Sequence, residues 1–156
     1  MTRIGVLFVC MGNICRSPIA EGVFLHKCAA RGVADRFTVD SAGTGGWHAG
    51  ERPDPRSVEV ARRHGIVLPG RARPVTHADY RTFDHLICMD HANRTALLRD
   101  GAPDDRIRLL LAFDPDPELD EVPDPYYGGD DGFDLVFRLV DRACDGLLES
   151  LLDTTP

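Results

Sequence analysis

The reading of this chain turns on Ile4-Gly5-Val6-Leu7-Phe8-Val9-Cys10-Met11-Gly12-Asn13-Ile14-Cys15-Arg16-Ser17-Pro18. Ile4 to Val9 is a short apolar run, the signature of a strand buried on both faces. It ends in a cysteine, and an arginine follows within the loop. Ser17 and Pro18 then read as the N-cap and first position of a helix. A strand, a short loop and a helix start make an anion site, because unpaired backbone N–H groups and the positive helix end face into the loop. Here the cradle holds a thiol at its entrance and a guanidinium at its exit. That pairing points to phosphate chemistry through a cysteine nucleophile.

Each residue of the loop fits that chemistry. The helix start and the nearby cation favour the thiolate of Cys10, which is the reactive form. Arg16 presents a planar fork of donors that matches two phosphoryl oxygens. Gly12 admits close backbone approach and positive φ, and Asn13 tolerates the left-handed conformation of a tight loop. The Ser17 hydroxyl is placed to donate to the Cys10 sulfur. Met11, Ile14 and Cys15 complete the loop. Neither G-x-x-x-x-G-K-[ST] nor a G-x-G-x-x-G after the strand is present, which removes two other nucleotide-phosphate loops.

At 156 residues the chain is expected to be one domain, 1–156, with one core. Its 25 acidic residues against 18 basic ones give a formal charge of −7, which argues against nucleic acid as a partner. The first apolar run is too short to span a membrane and leads into the loop rather than a cleavage site, so a cytoplasmic protein without a membrane partner is expected. Five cysteines without C-x-x-C spacing speak against a disulfide framework and against a structural zinc site. No metal and no cofactor is expected, because the cradle itself supplies the positive field.

Further along, strands and helices alternate. A helix of about a dozen residues follows the loop and stops near Gly32. Phe37 to Ser41 reads as a strand that runs into the glycine-rich segment 42–47, which carries Trp47. Asp54 and Pro55 start a helix ending at His64-Gly65, and Thr76 caps a short one. Asp84–Met89 and Ile107–Leu111 read as the third and fourth strands, with a helix over 92–99 between them. The segment Asp114–Asp131 contains eight carboxylates and no basic residue. The last helix carries Phe133, Val136, Phe137, Val140, Cys144, Leu147, Leu148 and Leu151 at helical spacing. The alternation implies an α/β fold: a parallel sheet with helices on both faces and the phosphate-binding loop after its first strand. Ligands of such sheets sit at the carboxyl ends of the strands, where the Cys10 loop, the Trp47 loop, Asp90 and the acidic loop all emerge.

The loop motif Val9-Cys10-x-Gly12-Asn13-x-Cys15-Arg16-Ser17-Pro18 resembles the signature of low-molecular-weight protein tyrosine phosphatases. The resemblance extends through Asp40-Ser41-Ala42-Gly43-Thr44, Trp47-His48, Asp54-Pro55-Arg56, Cys88-Met89-Asp90 and Asp124-Pro125-Tyr126-Tyr127. It implies four parallel strands, Cys10 as nucleophile, Arg16 as phosphate clamp and Asp124 as general acid and base. It also implies a substrate cleft walled by Trp47, Tyr126 and Tyr127, and proteins bearing phosphotyrosine as substrates; a monomer is expected.

Some residues keep two readings. Cys15 is either a small loop residue or, by the resemblance, a reversible disulfide partner for Cys10. Asp90 either caps the helix after the third strand or braces the cleft. Cys28, Cys88 and Cys144 read as core, and His48 and His64 as structural residues. Arg71 and Arg73 receive no role. Arsenate reductases with this loop need two further cysteines close together beyond the third strand, and Cys88 has no such neighbour. Members acting on phosphoarginine carry threonine where this chain has Ile14. A phosphate-binding module without catalysis would predict loss of the nucleophile, the arginine or the acid, and all three are present.

Overall fold

The structure is a computed structural model that describes residues 2–153. The ends of the expected 1–156 domain, residue 1 and residues 154–156, lie outside the described residues. Four strands, β1 (Ile4–Cys10), β2 (Phe37–Gly43), β3 (His85–Cys88) and β4 (Ile107–Leu109), form one sheet in the order β2-β1-β3-β4. All three pairings are parallel. Five helices connect and cover them: α1 (Arg16–Ala30), α2 (Pro55–Arg63), α3 (His77–Thr82), α4 (His91–Arg99) and α5 (Asp130–Asp153).

Residue alternation along β1 explains why the sheet is covered on both sides. Val6, Phe8 and Cys10 join the core formed with α1 and α5, whereas Leu7 and Val9 join the one containing Tyr80, Leu86 and Leu97. In the first core Phe24 packs edge-on against Phe8 at 5.6 Å and Phe37 at 5.3 Å. The eight apolar positions expected on the last helix are all buried there. Lys27 on α1 adds ion pairs to Asp141 and Asp145 of α5 at the edge of that contact.

Strand order positions the site. From β1 the chain moves to β2 on one side and later to β3 on the other, so β1 lies at the point where the order reverses. A crevice opens there beyond the carboxyl end of the strand. Cys10, the last residue of β1, stands in it.

Several strand ends differ from expectation by one or two residues, and two boundaries have a cause in the site or the sheet. Helix α1 begins at Arg16, with Cys15 rather than Ser17 at the N-cap and no side-chain cap bond. The Ser17 hydroxyl is engaged with Cys10 and Asn13 instead. Pro18, two positions deeper than expected, is tolerated because the first-turn N–H groups have no intrahelical partner. The fourth strand stops at Leu109, since β3 ends at Cys88 opposite it and offers no further pairing. Leu110 and Leu111 are buried in a 3-10 turn over Leu110–Phe113, where an apolar run had read as strand.

Candidate active site

The loop after β1 folds around the Cys10 sulfur. The Asn13 N–H donates to Sγ at 3.3 Å, and the Ser17 hydroxyl lies 3.0 Å from it. Asn13 takes the left-handed conformation, with φ of 58°. Gly12 is not left-handed; its lack of a side chain serves packing, since a Cβ there would approach His48 Cδ2 to 3.2 Å. Gly43, at the end of β2, is required more strictly. A Cβ on it would come within 2.8 Å of the Met11 carbonyl oxygen and 2.9 Å of the Gly45 carbonyl oxygen. The loop therefore rests directly on β2 backbone, and Thr44 and Gly45 donate to the carbonyls of Cys10 and Met11.

Arg16 is 2 % exposed. Its Nη1 donates to Asp90 Oδ2 at 2.6 Å and to the Val122 carbonyl at 3.0 Å, and its Nη2 lies 3.7 Å from Asp124 Oδ2. Burial disfavours the cation, but the charges of Cys10, Asp90 and Asp124 outweigh that and hold it above its ordinary pKa. Both readings of Asp90 hold together, one per oxygen: Oδ1 accepts the Asn93 N–H at the start of α4, and Oδ2 orients Arg16. Asp124 Oδ1 accepts the Tyr126 N–H at 3.0 Å, which fixes the carboxyl at the mouth of the crevice.

A cavity of about 390 Å³ opens above the sulfur. Its wall takes in Cys10, Met11, Gly12, Ile14, Cys15 and Arg16 from the loop and, from elsewhere, Trp47, Asp124, Tyr126 and Tyr127. Of the residues assigned from sequence to the loop, to catalysis and to the cleft wall, Asn13 and Ser17 alone are missing from the wall; both are buried beneath the loop. His48 joins it, held by Glu51 at 2.8 Å with its ring 5.9 Å from that of Tyr126. Trp47 lies exposed at the rim over Gly45, where any Cβ would strike the indole. Tyr126 and Tyr127 meet edge to face at 4.9 Å, and Tyr127 is 90 % exposed. His64 lies elsewhere, stacked on Phe137 at 4.0 Å.

Three residues acquire work that the sequence did not reveal. Arg56 is held by Asp54 and donates to the carbonyls of Tyr126 at 3.1 Å and Gly128 at 3.4 Å, over the Phe133 ring. It thus pins the tyrosine wall to the start of α2. Those bonds also hold the Asp54 carboxyl below its usual range despite burial. Arg73 donates through its backbone N–H to Asn13 Oδ1 at 3.0 Å, while its side chain binds Asp40 and Asp79. Glu21, buried on α1, accepts from Ser41 Oγ at 2.6 Å. The Asp-Pro-Arg motif signalled only a helix start, and nothing local marked Arg73 or Glu21.

Cys15 is 4 % exposed, and burial, with Asp54 and Cys10 adding to it, pushes its thiol up to about 12. Cys28, Cys88 and Cys144 are buried as expected. No helix among the described residues is long and apolar enough to cross a membrane. Among them, too, no group of three or more His, Cys, Asp or Glu is gathered as a metal ion would need.

A sequence model of the family described as low molecular weight phosphotyrosine protein phosphatase matches residues 5–155. The low molecular weight phosphotyrosine protein phosphatase of Sus scrofa is 43 % identical over 150 residues, covering 94 % of each chain. The crystal structure of YfkJ from Bacillus subtilis superposes with a TM-score of 0.95 at 40 % identity, over 100 % of this chain and 99 % of that one. A protein tyrosine phosphatase from Entamoeba histolytica, solved with Hepes in its active site, gives 0.92 at 37 % identity, over 96 % and 97 % of the two chains.

Proposed function

The chain belongs to the low molecular weight phosphotyrosine protein phosphatase family, and we propose that it hydrolyses phosphotyrosine in proteins through a phosphocysteine on Cys10. Membership makes it a protein tyrosine phosphatase; the residue roles below are our reading of the site. The observation that carries it is the Cys10 sulfur seated between the Ser17 hydroxyl and the Asn13 N–H, beside the buried Arg16 cation.

In the first step the Cys10 thiolate attacks phosphorus and the bond to the phenolic oxygen breaks. Asp124 gives its proton to the departing oxygen, so tyrosine leaves neutral. Loop N–H groups and the Arg16 guanidinium stabilise charge on the three equatorial oxygens as it develops. In the second step Asp124, now a carboxylate, takes a proton from water, which attacks the phosphocysteine. Inorganic phosphate leaves and the thiolate returns. The position of Asp124 beside Arg16, across the cavity mouth, supports one residue acting in both steps.

Aromatic side chains support phosphotyrosine over smaller esters. Trp47, Tyr126 and Tyr127 give the cavity apolar walls above a charged floor, which suits a flat ring carrying a terminal phosphate. A cytoplasmic setting is part of the proposal and agrees with five unpaired cysteines.

The test is hydrolysis of a phosphotyrosine peptide in EDTA, with phosphoserine and phosphoarginine peptides beside it, by the wild type and Cys10→Ser. Turnover of phosphotyrosine that disappears in Cys10→Ser is the expected result. Turnover confined to phosphoarginine would keep the cysteine and overturn the substrate. No turnover by folded, reduced protein would overturn the catalytic reading.

A further inference from the structure

Glu21 is 6 % exposed and takes no part in the steps above. It ends a chain of hydrogen bonds whose other end is the Cys10 sulfur. Ser41 Oγ donates to Glu21 Oε1 at 2.6 Å and accepts from Asn13 Nδ2 at 3.0 Å. The second proton of that same amide goes to Ser17 Oγ at 2.8 Å, and Ser17 Oγ is 3.0 Å from Cys10 Sγ.

The direction of the chain follows from Arg73. Its backbone N–H donates to Asn13 Oδ1, so the carbonyl end of the amide is committed and the NH₂ end faces the two serines. Each serine oxygen receives an Asn13 proton; Ser41 sends its own to Glu21, and Ser17 sends its own to Cys10 when the sulfur is a thiolate, which can only accept. An ionised carboxylate accepts only and enforces that direction. A protonated carboxyl is neutral and a much poorer acceptor, so the Ser41 proton is held loosely and Ser41 and Asn13 lose their fixed orientation.

Charged groups around both ends are few. Asp40 on β2 and Arg73 face Glu21, and the Arg73 cation is shared between Asp40 and Asp79. Burial drives the Glu21 carboxyl up to about 7, with the Ser41 bond opposing it, so it ionises near neutrality. Arg16 and Cys15 face Cys10, and Asp90 and Asp124 reach it through Arg16.

We propose that Glu21 is a positioning residue for the nucleophile: as an acceptor it holds Ser41 and Asn13 in the orientation that keeps Ser17 donating to the Cys10 sulfur. The inference rests on Cys10 being that nucleophile. Protonating Glu21 relaxes the donor and lowers the reactivity of the thiol, which couples the loop to pH through Ser41 of β2.

The experiment is the rate of Cys10 alkylation by iodoacetamide, followed by mass spectrometry across roughly pH 5 to pH 9, for the wild type, Glu21→Gln and Glu21→Leu. The glutamine carbonyl accepts from Ser41 at every pH. Glu21→Gln is therefore expected to match the wild type at the alkaline end and to lose a step that the wild type shows near neutrality. Glu21→Leu, without an acceptor, is expected to react about tenfold more slowly at neutral pH. Superimposable profiles for all three would overturn the proposal, as would equal slowing by glutamine and leucine. Should Glu21→Leu fail to fold, the glutamine profile decides alone. Alkylation needs no phosphatase turnover, so failure of the relay and failure of the proposed reaction are read separately.

Discussion

Arg16 Nη1 donates to Asp90 Oδ2 across 2.6 Å, tying the first residue of α1 to the N-cap of α4. The same carboxylate thus caps a helix and orients the buried cation of the loop. Asp90→Ala removes both contributions and leaves a buried guanidinium short of a partner. It is expected to lower stability by about 2 kcal/mol and to weaken inhibition by inorganic phosphate about tenfold or more. Asp90→Asn, which keeps the cap oxygen, should recover most of the stability but not the phosphate affinity. Thermal melts and phosphate inhibition, measured side by side, separate the two.

Asp124→Asn keeps the shape of the cavity mouth and removes the exchangeable proton. A fall in kcat of about a hundredfold or more is expected with phosphotyrosine. The fall should shrink for aryl phosphates whose phenols are acidic, because those leave without a proton. An equal loss for all leaving groups would mean that Asp124 acts on binding and not on proton transfer.

Arg56 holds the backbone of the tyrosine wall through the carbonyls of Tyr126 and Gly128. Arg56→Ala is expected to raise KM for a phosphotyrosine peptide about fivefold while kcat for a small aryl phosphate changes little. A matching fall in kcat for both substrates would show that the wall bears on the chemistry itself.

The cysteines should divide sharply by reactivity. Burial pushes the thiols of Cys15 and Cys88 up to about 12 and that of Cys28 up to about 11, and it raises Cys144 further. At neutral pH they are thiols and poor nucleophiles. Brief iodoacetamide treatment of the native protein is expected to modify Cys10 alone, and the Cys10→Ser variant not at all. Peptide mapping checks this, and early labelling of Cys15 would show that it is a reactive thiolate despite its burial.

Glu21 also shapes stability against pH. Its carboxyl titrates near the ordinary 4.5 when exposed and at about 7 in the folded protein. Between those values the folded state binds the extra proton, so stability falls as pH rises through this window and is flat in this respect above it. The size of the fall is about 3 kcal/mol. Urea unfolding at several pH values should show it as the difference between the wild type and Glu21→Gln. A constant difference across the window would refute it.

The cradle was legible in the sequence because it is contiguous. Strand, thiol, left-handed Asn13, arginine and helix start follow one another within the stretch 4–18, so each is read from its immediate neighbours in the chain. The apolar pattern of the last helix and the stops at Gly32 and Gly65, both with positive φ, were equally local. Where local signals misled, a neighbour had taken over. Ser17 gave up capping for the sulfur, and Leu110 and Leu111 turned away where β3 had no more backbone to pair.

The cast around the cradle was set by tertiary structure. Asp124 is one carboxylate among eight in its loop, and no local pattern separates it from the rest; family resemblance singled it out, and the fold puts it beside Arg16. The double duty of Asp90, the grip of Arg56 on Tyr126 and the reach of Arg73 to Asn13 join residues 74, 70 and 60 positions apart. Periodicity and capping signals extend over a few turns of chain and carry no information at that range. Sequence alone thus determined a strand–loop–helix cradle with a thiol at its entrance on a parallel sheet. Which charges would face that loop was decided when the strand order reversed at β1 and brought distant loops to one crevice, where burial gives each charge its weight.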